Sequence, residues 1–141
     1  MKGISLIELL LVFAITGLLV FLAVPVSLDF YRSQEMNINS REVLETLRRA
    51  RLRAVSQEMD SSFGVHFASN SFTLFAGSSY AGRDSRYDEV FTLAAGISIS
   101  GSEVVFAKLS GTPGAASNVQ LQSGNKTVVV SINAVGAIDI Q

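Results

Sequence analysis

The sequence predicts an α+β fold. A long N-terminal helix, membrane-spanning in its first half and amphipathic in its second, packs on a C-terminal antiparallel β domain of about seven to eight strands. Three observations carry this reading. No charged side chain occurs from Leu9 to Leu28. No Pro or Gly occurs from Asp29 to about Met59. Beyond Met59, short β-branched and aromatic runs alternate with breaks rich in Gly, Ser and Asn.

The uncharged run comes first. About 20 residues at about 1.5 Å rise span roughly 30 Å, the thickness of a hydrocarbon core. A cleaved secretory signal fits this run poorly. The run exceeds the usual apolar region of about 7–15 residues, and Ala23-Val24-Pro25 is a poor small-x-small cleavage site. Lys2 precedes the run, and Asp29 and Arg32 follow it, a weak charge bias that leans towards an N-terminus in the cytoplasm. One residue stands out at the doorway. Glu8 is an acid where an isolated carboxylate in hydrocarbon costs about 3 kcal/mol or more.

The second half of the helix spans residues 29–60. Val43, Leu47, Ala50 and Ala54 recur at steps of four and three, with Leu44 and Val55 beside them, so one stripe is apolar. Arg41, Glu42, Glu45, Arg48, Arg49 and Arg53 take the other face, and Glu45 and Arg49 form a favourable i,i+4 pair. Asn39 or Ser40 equally offers an N-cap for a separate helix. One long helix is preferred, bent or frayed near Asn37–Ser40.

Residues 61–141 read as β. Phe63–Ala68 and Ser71–Ala76 form a hairpin across Ser69-Asn70, and a Ser/Gly/Asp-rich loop runs from Gly77 to about Asp88. "EVFTL", "GISIS", "EVVFAKL", "NVQLQ", "KTVVVSIN" and "AVGAIDI" supply the remaining strands. Without βαβ alternation the sheets are antiparallel, as a sandwich or one strongly curved sheet. The Val43/Leu47/Ala50/Ala54 stripe is the natural cover for the buried face.

Several chemistries are excluded or disfavoured. There are no cysteines, so thiolate catalysis, disulfides and cysteine metal sites are absent. His66, the only histidine, lies mid-strand and reads as a residue facing solvent or a neighbour. Asp84, Asp88 and Glu89 lack EF-hand spacing, and Arg83 and Arg86 stand ready to neutralise them, which reads as a solvated loop. Asn125-Lys126-Thr127 fits a glycosylation triplet, and the Gly111–Gly114 stretch lacks the Lys-Ser/Thr of a phosphate loop. No enzyme activity, cofactor or metal is expected. Net charge is −1, and beyond Met59 the basic residues are Arg83, Arg86, Lys108 and Lys126. That supplies no basic stripe, so nucleic acid is not an expected partner. Arg48, Arg49, Arg51 and Arg53 sit on the helix, interleaved with the apolar stripe, where they decorate its surface or pair with glutamates of neighbours.

The stretch "KGISLIELLLVFAITGLLVFLAVP" resembles the N-terminal signature of type IV pilins and of the pseudopilins of type II secretion. The segment "VVFAKLSGTPGAASNVQL…TVVVSINAVGAIDIQ" is more loosely similar to the C-terminal part of the H-type minor pseudopilin and related minor pilins. The resemblance implies that residues 1–3 are a leader, cut after Gly3 by a prepilin peptidase. It implies N-methylation of Ile4, the new first residue. Ile4 stands where phenylalanine is more usual in the family, and Ser5 where threonine is common. Residues 4–28 become the transmembrane and assembly half of the helix. Glu8, fifth in the mature chain, then pairs with the Ile4 amine of a neighbouring subunit, which makes a buried carboxylate tolerable. Gly17 and Pro25 match places where the family helix loses regularity on assembly. Pro25 also removes a donor to the Phe21 carbonyl and favours a kink whatever the state.

The expected function is thus a structural subunit of a type IV pilus-like or type II secretion filament. Its partners are other such subunits, the peptidase and the membrane. It begins as a single-pass inner-membrane protein with its C-terminal domain outside the cytoplasm, and ends in a periplasmic or extracellular filament. The alternative is a membrane-anchored extracytoplasmic β-domain that binds a ligand, DNA or a surface, without polymerising.

Overall fold

The computed structural model describes residues 5–141, with backbone alone at positions 22–29. One helix, α1 (Leu6–Val55), precedes eight strands: β1 (Phe63–Ala68), β2 (Ser71–Ala76), β3 (Glu89–Thr92), β4 (Ser98–Ser100), β5 (Val104–Phe106), β6 (Ser117–Ser123), β7 (Lys126–Ile132) and β8 (Ile138–Ile140). The fold is the expected α+β class, and its strands form two antiparallel four-stranded sheets, ordered β3-β2-β1-β5 and β4-β6-β7-β8. The chain divides into two compact units, residues 1–34 and 35–141.

In the second unit the helical stripe is buried as its spacing predicts. Val43, Leu47, Ala50 and Ala54 are fully buried, in one core with Phe63, Val65, Phe72 and Leu74 of the first sheet and Val119, Leu121, Val130 and Ile132 of the second. Leu44 packs against that core, whereas Val55 is 42% exposed.

The β1–β2 hairpin has the expected bounds and register, from Phe63↔Ala76 to Ala68↔Ser71 across Ser69-Asn70. β1 buries Phe63, Val65 and Phe67 in the main core. On its opposite face Gly64 does something a side chain would prevent: a Cβ there would lie 2.5 Å from Cζ of Phe75 and 2.9 Å from the Val104 carbonyl. Phe75 is therefore fully buried outside the main core, under the 77–88 segment. A strand-interior glycine marks such a close approach.

The one long helix preferred from the sequence is the one observed, unfrayed at Asn37–Ser40, and its far end needs correction. Asn39 and Ser40 do not begin a separate helix; the helical assignment runs unbroken through residues 37–40. Both side chains bond back to the preceding turn, Asn39 Nδ2 donating to Glu35 O at 2.8 Å and Ser40 Oγ to Asn37 O at 3.1 Å. Asn39 Oδ1 meanwhile accepts the amide of Ala94, so a buried polar residue fastens the helix to the β3–β4 connection. The helix stops at Val55, short of Met59. Gln57, Met59 and Asp60 all take positive φ (57°, 53° and 55°), which winds the chain out of the helix into β1.

Arg51 secures the helix end, its Nε donating to Gly111 O at 3.2 Å and its Nη2 to Val135 O at 3.3 Å. The β7–β8 turn fits closely there. Gly136 has φ 82°, and a Cβ on it would lie 2.6 Å from Gly111 O.

Candidate assembly surface

Ser5 starts the helix: its Oγ accepts the Glu8 N–H at 3.3 Å, and its carbonyl accepts the N–H groups of Glu8 and Leu9. This is the backbone half of a capping box, in which Ser at N-cap and Glu at N3 share the first turn. The sequence carried that signal as Ser-x-x-Glu ahead of an apolar run, and the reading of Glu8 as an assembly residue overlooked it. The Glu8 side chain is exposed, in the first turn, where the helix dipole favours a negative charge. No ion pair of its carboxylate is found among the described residues. Its expected partner, Ile4, lies outside them, as does Gly3.

Every described side chain from Leu6 to Phe21 is exposed. Successive helical residues turn by about 100°, so Leu9, Leu10, Leu11 and Val12 alone take the apolar surface round the whole circumference. Their exposure runs from 51% to 62%. Thr16, the one hydroxyl within the run, folds its Oγ1 back onto Val12 O at 2.7 Å and presents no free donor to its surroundings. A helix apolar on all sides is normally buried, in a large core or in lipid. A contiguous exposed apolar surface of this kind marks an interaction site.

Gly17 sits in this surface with nothing within 4 Å of the place its Cβ would take. The helix is unbroken at Gly17 and, in its backbone, at Pro25. Among the described residues no helix is long and apolar enough to cross a membrane. The expected span Leu9–Leu28 continues into positions 22–29, whose side chains lie outside the described ones.

In the second unit, charges pair within the chain. The expected Glu45–Arg49 pair is not formed: Glu45 takes Arg48 at 3.2 Å, one residue nearer. Arg49 instead reaches Glu89 at 3.1 Å, and the same carboxylate takes Arg53 at 2.7 Å. Arg53 also lies 3.5 Å from Glu58, and Lys108 pairs with Asp60. The arginine cluster is thus largely satisfied at home. That pairing leaves fewer free cations for a phosphate-binding stripe.

The 77–88 segment is also more ordered than a solvated loop. Arg83 Nε donates to both carboxylate oxygens of Asp88, at 3.0 and 2.8 Å, and its Nη1 donates to Tyr80 O. Its guanidinium lies 3.5 Å from the Tyr80 ring centroid. Arg86 clasps Asp84 through Nε and Nη2 and donates its backbone N–H to the same carboxylate. Those bonds from Arg86 hold the Asp84 carboxyl at about 2, below its ordinary 3.8, and raise the Arg86 guanidinium in turn. As expected, the two arginines neutralise the two aspartates. No group of three or more potential metal ligands occurs among the described residues.

No protein-family model matches the chain, and no curated protein sequence matches it. Among solved structures the chain is similar to the minor pseudopilin EpsH from the Type 2 Secretion System of Vibrio cholerae. The likeness covers 76% of this chain and 96% of that one, with a TM-score of 0.59 at 14% sequence identity. The chain has the fold of a minor pseudopilin. The N-terminal helix region and the two antiparallel sheets match that fold.

Proposed function

We propose that this chain is a structural subunit of a type II secretion pseudopilus or a related type IV pilus-like filament, at a minor position. The observation that carries the reading is the helix Leu6–Phe21, apolar on every side and exposed throughout, with one acid in its first turn, on a chain of pseudopilin-like fold. Such a surface calls for lipid before assembly and for neighbouring helices after it.

In this reading a prepilin peptidase cuts after Gly3 and methylates the amine of Ile4. The chain waits in the inner membrane, N-terminus in the cytoplasm and β domain outside. On entry into the filament, Glu8 meets the Ile4 amine of an adjacent subunit. The pair sets the axial register, since an unpaired carboxylate among packed apolar helices is strongly disfavoured. Gly17 and Pro25 bracket a segment that unwinds on assembly: glycine is a poor helix former, and proline lacks the amide that would bond Phe21 O.

The test is the intact mass of the chain expressed with and without a prepilin peptidase. Loss of Met1–Gly3 with gain of one methyl group supports the reading, and an unchanged mass overturns it. Incorporation of the processed chain into purified filaments then separates a subunit from a membrane-anchored ligand-binding domain.

A further inference from the structure

On the outer face of the first sheet, His66 occupies a setting that the assembly reading does not use. Its ring stacks on Tyr80 with centroids 3.8 Å apart and planes 9° from parallel. Arg83 covers the Tyr80 ring at 3.5 Å, and the Tyr80 ring meets Phe75 edge-on at 5.6 Å. Two groups this close to one ring occupy its two faces, so His66, Tyr80 and Arg83 form a three-layer stack that fastens the 77–88 segment to β1. The Nδ1 of His66 is shut off from solvent and has no hydrogen-bond partner. It lies 4.0 Å from Oε2 of Glu103. That oxygen also accepts the backbone N–H of Tyr80, at 3.3 Å. The β1–β5 register explains the meeting: Val65 pairs with Val104, so Glu103 follows one step on, across from His66.

We propose that His66 and Glu103 form a proton-operated clasp that tightens the docking of the 77–88 segment in acid. In neutral imidazole, Nδ1 carries the proton in only one of two tautomers; in imidazolium it always does. Protonation therefore places a charged N–H donor against Glu103 Oε2 and a cation over the Tyr80 ring, and both are attractive. The groups facing His66 from each packed element are few. Glu103 comes from the segment before β5, and Tyr80 and Arg83 from the 77–88 segment; β2 offers the uncharged Thr73 and Phe75. Arg83 opposes the new charge but lies beyond Tyr80 and is bound in bidentate fashion to Asp88. Glu103, in direct reach, decides the sign. Because Glu103 Oε2 holds both His66 and the Tyr80 amide, fixing it by one contact strengthens the other. The clasp acts within one chain and does not depend on the filament reading.

The Tyr80 amide is the reporter. Its hydrogen exchange, corrected for intrinsic rate, is compared at about pH 5 and about pH 8. The sample is the full-length chain in detergent micelles. Protection is expected to rise in acid by a factor of about 2 to 5, the range that a partly exposed ion pair supplies. His66→Phe keeps a ring over Tyr80 and Glu103→Gln keeps an oxygen for its amide, and each is expected to abolish the change. Equal protection at both pH values, or a rise that survives in either variant, overturns the proposal.

Discussion

Ser5 holds Glu8 by its backbone and leaves its carboxylate exposed, since the Ser5 Oγ accepts the Glu8 N–H at 3.3 Å. Helix initiation and the charge at this position are therefore separable. Ser5→Ala removes a cap that contributes about 1 kcal/mol to the first turn, and filament incorporation is expected to continue. Glu8→Ala keeps the backbone cap and is expected to insert into membranes yet fail to enter filaments. Membrane fractionation and subunit content of sheared filaments measure the two outcomes. Wild-type incorporation of Glu8→Ala would refute the role assigned to that carboxylate.

Leu47 and Leu52 lie on opposite sides of one helix and predict opposite responses. Leu47 is fully buried and Leu52 is 67% exposed. Leu47→Ala is expected to cost about 2–5 kcal/mol, through lost transfer energy and the cavity left behind. Leu52→Ala is expected to change stability by less than about 0.5 kcal/mol. Denaturant unfolding of the detergent-solubilised chain, followed by circular dichroism, compares them.

Asn39→Ala tests the helix-to-loop tie. It strips the acceptor from the Ala94 amide and leaves that donor without its partner, at an expected cost of about 1–3 kcal/mol. Amide exchange at Ala94 should rise in this variant while the β1–β2 hairpin stays protected.

Gly64→Val places side-chain atoms where Phe75 Cζ and the Val104 carbonyl already lie. Overpacking of this kind costs about 1–3 kcal/mol. The Phe75 ring is expected to be displaced, with the Tyr80 stack lost in the ring-current shifts of its NMR spectrum.

The hairpin Phe63–Ala76 and the stripe Val43/Leu47/Ala50/Ala54 were legible because each rests on local periodicity and a turn signal. Much of the rest depends on pairs distant in sequence. Helix spacing pairs Glu45 with Arg49, but Arg49 lies beside β3 and is drawn to Glu89, 40 residues away. The helix end at Val55 was hidden for another reason. Left-handed backbone at Gln57, Met59 and Asp60 is imposed by the path into β1, not by glycine. Gly64 was the available hint that β1 is covered on both faces, and Ser5-x-x-Glu8 the available hint of the cap. In the 77–88 segment the opposite charges were readable, but the stacking of Arg83 on Tyr80 depends on which sheet face the segment covers.

Asp84 supplies a pH prediction. Its folded-state carboxyl titrates at about 2 against an ordinary 3.8, because Arg86 bonds to the ionised form. A lowered acid stabilises the fold above its unfolded value and loses that contribution as pH falls from about 4 through about 2. The Asp84–Arg86 clasp is thus expected to persist at pH 3 and open below 2. A carboxylate carbon titration by NMR checks it, and a midpoint near 4 would contradict it.

The two carbonyls that Arg51 grips lie 60 and 84 residues further along the chain. During synthesis, the helix end therefore exists long before the groups that satisfy it. Only when the Asn133–Ala137 turn arrives, near the C-terminus, does the guanidinium gain its second acceptor. Closing so long a loop is slow and entropically costly. A chain truncated before Asn133 therefore lacks the Val135 carbonyl that helps anchor the helix end.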